Sequence, residues 1–253
     1  MKDVWVRFFS ALAATGLSIF CFSRGGKFVD IWWQFVHATI TLEVARQDEN
    51  GFQFVVYNFF FLWLVAWQPY IPQEVMLALL FTPLISAIFT HQNFVKSTGY
   101  VLNLVWITIP CYIGHKLSED VSFIVGFLCV VWFMDAGAYF SGHLFGRTPL
   151  LANISPKKTV EGTLGGAVVT QVVAFIVSFY VPHIAYKHWI VIGIISSTVG
   201  QAGDLFESMY KRSLNMKDSG IIMPGHGGFL DRFDAVLFSV IFTNAYLRCI
   251  QLI

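Results

Sequence analysis

The sequence predicts an all-α polytopic membrane protein. Hydrophobic residues make up 56% of its 253 residues and charged residues only 12%, whereas a soluble domain carries about 25% charged residues. The apolar residues form repeated runs of roughly twenty, which is the length of a helix that crosses the hydrocarbon core of a bilayer. Continuous runs such as FIVGFLCVVWFM favour helices over a membrane β-barrel, whose strands alternate apolar and polar side chains.

About nine stretches are apolar and long enough to be transmembrane helices. Their bounds are about 4–23, 28–45, 52–68, 74–91, 98–115, 121–141, 164–183, 188–208 and 232–251. The first is interpreted as a retained helix, because no A-x-A-like cleavage site follows it. No internal repeat or linker divides the chain. We therefore expect one integral membrane domain over residues 1–253, with N-terminal helices in 1–120 and the helices and loops that carry the chemistry in 121–253.

The distribution of lysine and arginine predicts which side of the membrane faces the cytoplasm. With nine spans, most of the 16 basic residues fall on the side of the N-terminus, and cytoplasmic loops carry the excess of such residues. Two polar segments, described next, fall on that same side because an even number of spans separates them. We expect a protein of the bacterial inner membrane or an equivalent membrane, with both segments in the cytoplasm. The net charge of +1 argues against binding nucleic acid through bulk electrostatics.

The first polar segment, residues 142–162, contains the sequence GRTPLLANISPKKTVEG. Ser155 followed by a proline is a helix-start signal, with serine as the N-cap. It predicts that Lys157 and Lys158 lie in the first helical turn, where free backbone N–H groups favour an anion. A solvated, positively charged loop is the alternative interpretation. Upstream, Asp135 lies within an apolar run, so it either pairs with a basic side chain or lines a site.

The second polar segment, residues 204–234, holds a third of the chain's 15 acidic residues. Ionisable groups beside membrane-spanning segments are costly, and they indicate a functional site by default. At helical spacing, Asp204 and Ser208 share one face with Lys211 and Arg212. This face would leave the membrane with a carboxylate, a hydroxyl and two cations.

A glycine-rich stretch, MPGHGG, follows in the same segment. Its glycines allow backbone N–H groups to approach a ligand closely, whereas His226 taken alone favours a structural role. Asp231 and Asp234 then begin the last span on one face, three residues apart. Carboxylates for a hard cation, cations for phosphate and a glycine-rich turn are what phosphoryl or nucleotidyl transfer needs. The P-loop motif is not present in the sequence.

The residues from Ser208 to Asp234 fit the pattern S-x-x-K-R-x₄-K-D-x-G-x₃-P-G-H-G-G-x-x-D-R-x-D, which resembles the signature of the phosphatidate cytidylyltransferases, or CDP-diacylglycerol synthases. The upstream sequences ISPKKTVEG and DAGAYFSG are similar to this family's as well, so the resemblance covers roughly residues 130–240. It implies a membrane enzyme of phospholipid biosynthesis that converts CTP and phosphatidate to CDP-diacylglycerol and pyrophosphate.

The resemblance also implies roles for individual residues. Asp204 and Asp231 would hold a catalytic Mg²⁺, with a second cation such as K⁺ left open, and together with Lys211 and Arg212 they would be the catalytic residues. The substrate-binding residues would be Asp135, Ser155, Lys157, Lys158, Glu161, Ser208, Lys217, Asp218, His226 and Asp234. The implied partners are CTP, phosphatidate and membrane lipid, and a homodimer is left open.

Two other functions stay open. A CTP-dependent lipid kinase would transfer the γ-phosphoryl group to an alcohol, but the length of the motif match argues against it. A transporter or channel would use Asp30, Glu43 and Asp135 to line an ion path. Such proteins are commonly built from repeated halves with broken helices, and the sequence shows no such repeat.

Overall fold

The computed structural model describes residues 14–47, 55–56, 58–60, 101–220, 222–223 and 227–252. Its helices are α1 (14–24), α2 (Lys27–Ala45), α3 (Ile109–Leu117), α4 (Val121–Phe145), α5 (Val160–Tyr180), α6 (Tyr186–Ile195), α7 (Gln201–Ser213) and α8 (Asp234–Cys249). Two strands, β1 (Pro149–Leu151) and β2 (Ser155–Thr159), form an antiparallel pair. Shorter turns are π-helical at Leu104–Thr108 and Ser196–Gly200 and 3₁₀ at Leu230–Arg232.

Three of the described helices are long and apolar enough to cross a membrane. They are α4, α5 and the continuous helix Tyr186–Ser213, in which the π-helical turn joins α6 to α7. The predicted helical membrane fold is confirmed to this extent. The count of nine spans stays a prediction, since span 74–91 and most of span 52–68 lie outside the described residues.

The first polar segment forms a β-hairpin, which the sequence did not predict. The prediction that Ser155 caps a helix, with Lys157 and Lys158 in its first turn, is wrong, because these residues belong to β2. Thr159 is the N-cap of α5, and its Oγ1 accepts a hydrogen bond from the backbone N–H of Gly162 at 3.1 Å. The proline after Ser155 favours extended backbone at the serine, and β1 supplies backbone partners that the local pattern could not reveal.

Helices α4 and α5 approach each other closely through small residues. A Cβ added to Gly162 would lie 2.8 Å from the carbonyl oxygen of Ala138, and one added to Gly166 would lie 2.9 Å from that of Met134. Small residues at such contacts let helix backbones pack closely in membranes. Helix α5 then runs away from the hairpin and the α6–α7 helix returns, so both polar segments lie at the same end of the bundle, as predicted.

The N-terminal helices pack into the same core as α8. Trp32 and Trp33 of α2 are almost fully buried, and the indole N–H of Trp33 donates to Ser118 Oγ at 2.7 Å. Helix α2 packs against α3, and α8 packs against both α3 and α7. At the other end of α2, the Gln47 amide donates to the carbonyl oxygen of Ser219 at 2.6 Å. Helix α2 therefore reaches the second polar segment.

Candidate active site

A cavity of about 660 Å³ lies where the two polar segments meet the ends of α4, α7 and α8. We call it the active-site cavity. Most of the predicted site residues border it, namely Asp135, Ser155, Lys157, Lys158, Asp204, Lys211, Asp231 and Asp234. The fold thus brings residues from distant parts of the sequence to one concave surface, as a ligand site requires.

Three carboxylates form a close group in this cavity, and we call them the carboxylate trio. Asp204 and Glu207 are three residues apart on α7, and Asp234 is the first residue of α8. One oxygen from each residue lies within 4.8 Å of those of the other two. Within the described part of the chain, Oε1 of the fully buried Glu207 has no hydrogen-bond partner. Oxygen donors this close, one of them unsatisfied, fit a hard cation such as Mg²⁺.

Lysines balance part of this negative charge. Lys158 of β2 forms an ion pair with Asp204, which joins the first polar segment to the second. Lys211 pairs with Glu207 one helical turn away and with Asp231 at 2.6 Å. Buried ion pairs are tolerated when each charge has a partner, and removing one partner leaves an uncompensated charge. The cavity wall is therefore a network of alternating charges.

Asp231 is held mainly by the second polar segment itself. Its Oδ1 accepts a hydrogen bond from Lys211 Nζ at 2.6 Å, while its Oδ2 accepts from the backbone N–H groups of Ser219 at 3.0 Å and Gly228 at 2.7 Å. Burial alone would raise the pKa of Asp231, but its interactions with the Glu207 and Lys211 side chains, the Lys211 charge and the hydrogen bond from Gly228 lower it to about 2. Asp231 lies outside the carboxylate trio, and its role as a metal ligand stays a prediction.

Several predicted site residues lie away from the cavity. Arg212 is exposed, and its Nη1 donates to the carbonyl oxygen of Met216 at 3.0 Å. Lys217 and Asp218 are exposed and border a separate cavity of about 500 Å³. Ser208 is half-buried on α7 and is absent from the described residues that border the active-site cavity. His226 lies outside the described residues.

Glu161, which the resemblance implies to bind substrate, closes the base of the hairpin. Its Oε2 accepts hydrogen bonds from the backbone N–H groups of Arg147 at 3.0 Å and Thr148 at 3.1 Å, and its Oε1 accepts from the Thr148 hydroxyl at 2.9 Å. These contacts give Glu161 a structural role in orienting the first polar segment. Its binding of substrate stays a prediction.

Two residues of this region, Glu207 and Glu43, were not predicted from the sequence to belong to this site. Glu207 stands three residues after Asp204, and that spacing alone places the two carboxylates on one helical face. This spacing in the sequence could therefore have identified Glu207 as a site residue. Glu43 of α2 accepts hydrogen bonds from the second polar segment. No local pattern connects residues so far apart in the chain.

Fold and cavity together define a class: helical membrane proteins with a polar cavity in which a close group of carboxylates lies beside lysines. The family within this class follows from comparison with known sequences. Residues 6–250 match the family model described as "Cytidylyltransferase family", so the chain belongs to that family.

Curated relatives make the comparison more specific. The phosphatidate cytidylyltransferase of Staphylococcus saprophyticus is 40% identical over 157 residues, and that of Staphylococcus haemolyticus is 37% identical over 158 residues. The protein of the same name from Staphylococcus epidermidis is 36% identical over 157 residues. Each alignment covers 61% of this chain and 60% of the relative's length. The resemblance to the phosphatidate cytidylyltransferases is confirmed.

Proposed function

We propose that this chain is a phosphatidate cytidylyltransferase, which makes CDP-diacylglycerol and pyrophosphate from CTP and phosphatidate. The observation that carries the proposal is the active-site cavity, where the carboxylate trio lies beside Lys158 and Lys211. A member of the cytidylyltransferase family needs such a site to bring two phosphate-bearing substrates together. The name of the staphylococcal relatives supports phosphatidate as the acceptor.

The proposed reaction is a displacement at the α-phosphorus of CTP. A phosphate oxygen of phosphatidate forms a new bond to that phosphorus, and the bond to the oxygen that bridges to the β-phosphate breaks. Pyrophosphate leaves with the electron pair. The nucleophile is already an anion, so the reaction needs no strong base. The protein's work is to neutralise charge and to align the reactants, for which Lys157, Lys158 and Lys211 border the cavity.

The carboxylate trio supports a Mg²⁺ site in this cavity. Asp204, Glu207 and Asp234 would hold the ion, and Asp231 borders the same cavity. When bound, Mg²⁺ supplies positive charge that stabilises phosphoryl oxygens in the transition state. Lys158 and Lys211 neutralise the same carboxylates, so binding of the ion would free their ammonium groups for substrate phosphates. A second cation such as K⁺ stays a prediction.

Orientation in the membrane is part of the proposal. Both polar segments lie at one end of the helices that can cross a membrane, and this end carries the basic residues of the cavity. We propose that it faces the cytoplasm, where CTP is available and where positive residues are favoured. Phosphatidate, an amphiphile, would present its phosphate at this level of the bilayer.

A labelling experiment tests the reaction. Purified protein in detergent is incubated with Mg²⁺, phosphatidate and CTP labelled at either the α- or the γ-phosphate, and lipids are separated by thin-layer chromatography. We expect the α-label in a lipid that runs as CDP-diacylglycerol, and the γ-label in pyrophosphate. The γ-label in lipid when diacylglycerol replaces phosphatidate would instead support a lipid kinase. No labelled lipid under either condition would contradict the proposal.

A further inference from the structure

Glu43, near the C-terminal end of α2, is a buried carboxylate that contacts the second polar segment. Only 2% of its surface is exposed. Its Oε1 accepts a hydrogen bond from the backbone N–H of Phe229 at 3.1 Å. Its Oε2 accepts from the backbone N–H of Leu230 at 2.8 Å and from the Ser219 hydroxyl at 3.1 Å. A single side chain of the N-terminal helices thus binds two separate parts of the segment.

The second polar segment is shaped to fit this carboxylate. A Cβ added to Gly220 would overlap the carboxylate of Glu43, and one added to Gly228 would overlap the hydroxyl of Ser219. The two glycines therefore let the backbone close around the Glu43 side chain. One turn beyond Glu43, Gln47 donates to the carbonyl oxygen of Ser219 at 2.6 Å, which attaches α2 to the same stretch a second time.

Glu43 and Asp231 bind neighbouring groups of the same two stretches of chain, at Ser219 and at residues 228–230. The hydroxyl of Ser219 donates to Glu43, and the backbone N–H of the same serine donates to Asp231 at 3.0 Å. The N–H of Gly228 donates to Asp231 at 2.7 Å, and the next two N–H groups along the chain donate to Glu43. Any displacement of Glu43 would therefore be passed to Asp231 through both stretches of backbone.

We propose that Glu43 is a positioning residue of the active site. By fixing Ser219 and the turn at 228–230 it sets the place of Asp231, and through the 2.6 Å ion pair of Asp231 it sets the place of the Lys211 ammonium group at the cavity wall. Preorganised charges stabilise a transition state more than charges that must first be ordered. The inference rests on the proposed function, and it gives the N-terminal helices a part in the catalytic site.

Three variants and one control test this role. Glu43→Gln keeps the size of the side chain but replaces one acceptor oxygen with a donor that would face a backbone N–H or the Ser219 hydroxyl. Ser219→Ala removes one link to Glu43 and keeps the backbone N–H that binds Asp231. The third variant combines the two. Glu119→Gln is the matched control, because Glu119 is an exposed glutamate near the start of α4.

The measurements are kcat and KM for both substrates, and amide hydrogen exchange over 217–220 and 227–232. In Glu43→Gln we expect kcat to fall at least about tenfold with KM changed less than about threefold, because a small misplacement acts mainly on the transition state. Exchange at Phe229 and Leu230 should become faster. Ser219→Ala should have a smaller effect, and the double variant should match Glu43→Gln because coupled residues are not additive. Glu119→Gln should behave as the parent protein.

Several outcomes would overturn the proposal. Faster exchange with unchanged kcat would mean that Glu43 holds the loop but does not position the catalytic charges. If the losses of kcat add up in the double variant and follow the loss of thermal stability, the role of Glu43 is only structural. If Glu43→Gln does not fold, an unchanged kcat in Ser219→Ala overturns the inference. If the parent protein makes no CDP-diacylglycerol, the proposed function fails. Independently of that result, unchanged amide exchange in Glu43→Gln would show that Glu43 does not fix the backbone at 228–230.

Discussion

At the scale of single residues, the charges of the active-site cavity are paired with one another. Lys158 contacts Asp204, and Lys211 contacts both Glu207 and Asp231. The pairs join residues from β2, α7 and the turn before α8. Because each partner compensates a half-buried or buried charge, substitution of one residue changes the electrostatic environment of the next. Effects of substitutions within this network should not be additive.

Asp204→Asn should lower turnover at least about a hundredfold, because it removes a carboxylate that would hold the proposed divalent cation. The rate of CDP-diacylglycerol formation measures the loss, and excess EDTA should abolish the activity of the parent protein. The control is Asp30→Asn. Asp30 lies near the start of α2, away from the cavity, and pairs with His115. Near-normal activity of Asp204→Asn, or activity that survives EDTA, would contradict the metal site.

Lys211→Met and Arg212→Met form a second, matched pair. Lys211 contacts two carboxylates at the cavity, whereas Arg212 is exposed and binds the carbonyl oxygen of Met216. We expect kcat/KM for CTP to fall at least about a hundredfold in Lys211→Met and less than about threefold in Arg212→Met. The resemblance implies a catalytic role for Arg212. An equal loss in both variants would support that role and would require Arg212 to turn toward the cavity when substrate binds.

At the scale of elements, the turn that precedes α8 depends on backbone geometry. Gly227 has a φ of +86°, a region that side-chain-bearing residues rarely adopt. A Cβ there would also lie 2.7 Å from Oδ2 of Asp231. The glycine-rich stretch that the sequence marked as permissive is therefore needed at this position for conformation and for space.

Gly227→Ala should reduce kcat at least about tenfold and lower the thermal unfolding midpoint, because a strained backbone costs about 1–3 kcal/mol and the new methyl group displaces Asp231. Gly16→Ala is the control, since no described residue lies within 4 Å of a Cβ added at Gly16 in α1. Both midpoints are measured in the same detergent. A Gly227→Ala protein with parental kcat would show that the position of Asp231 does not limit the reaction.

At the scale of the whole molecule, the positions of three acidic residues argue against a transporter or channel. Asp30 lies in the first turn of α2 and Glu43 near its end, about 20 Å apart at 1.5 Å per residue. Asp30 pairs with His115, Glu43 binds the second polar segment, and Asp135 borders the active-site cavity. The three acids thus serve separate sites within the described part of the chain.

The orientation of the molecule can be tested with single cysteines. Lys217 is exposed in the second polar segment, and Glu119 is exposed just before α4, at the opposite end of that helix from the cavity. In a background with the exposed Cys249 changed to serine, a membrane-impermeant maleimide should label Glu119→Cys in intact cells. It should label Lys217→Cys only in inverted vesicles. The reverse pattern would place the active-site cavity outside the cytoplasm.

Several properties could be predicted from the sequence because they depend on local composition and spacing. The low fraction of charged residues and the long apolar runs were enough to predict a helical membrane protein. The concentration of charge in two polar segments, and the spacing of motif residues from Ser208 to Asp234, indicated the site and the family. The meeting of the two segments at one end of the bundle followed from counting the helices between them.

The tertiary structure alone decided which of these residues meet. Strand β2 pairs with β1 where a helix start was predicted. Asp234 lies close to Asp204, whereas Asp231 forms an ion pair with Lys211. The tertiary structure also brings Glu43 to Ser219, 176 residues later in the chain. A charged side chain takes the partner that compensates its burial, and that partner is set by how helices pack rather than by the sequence next to it.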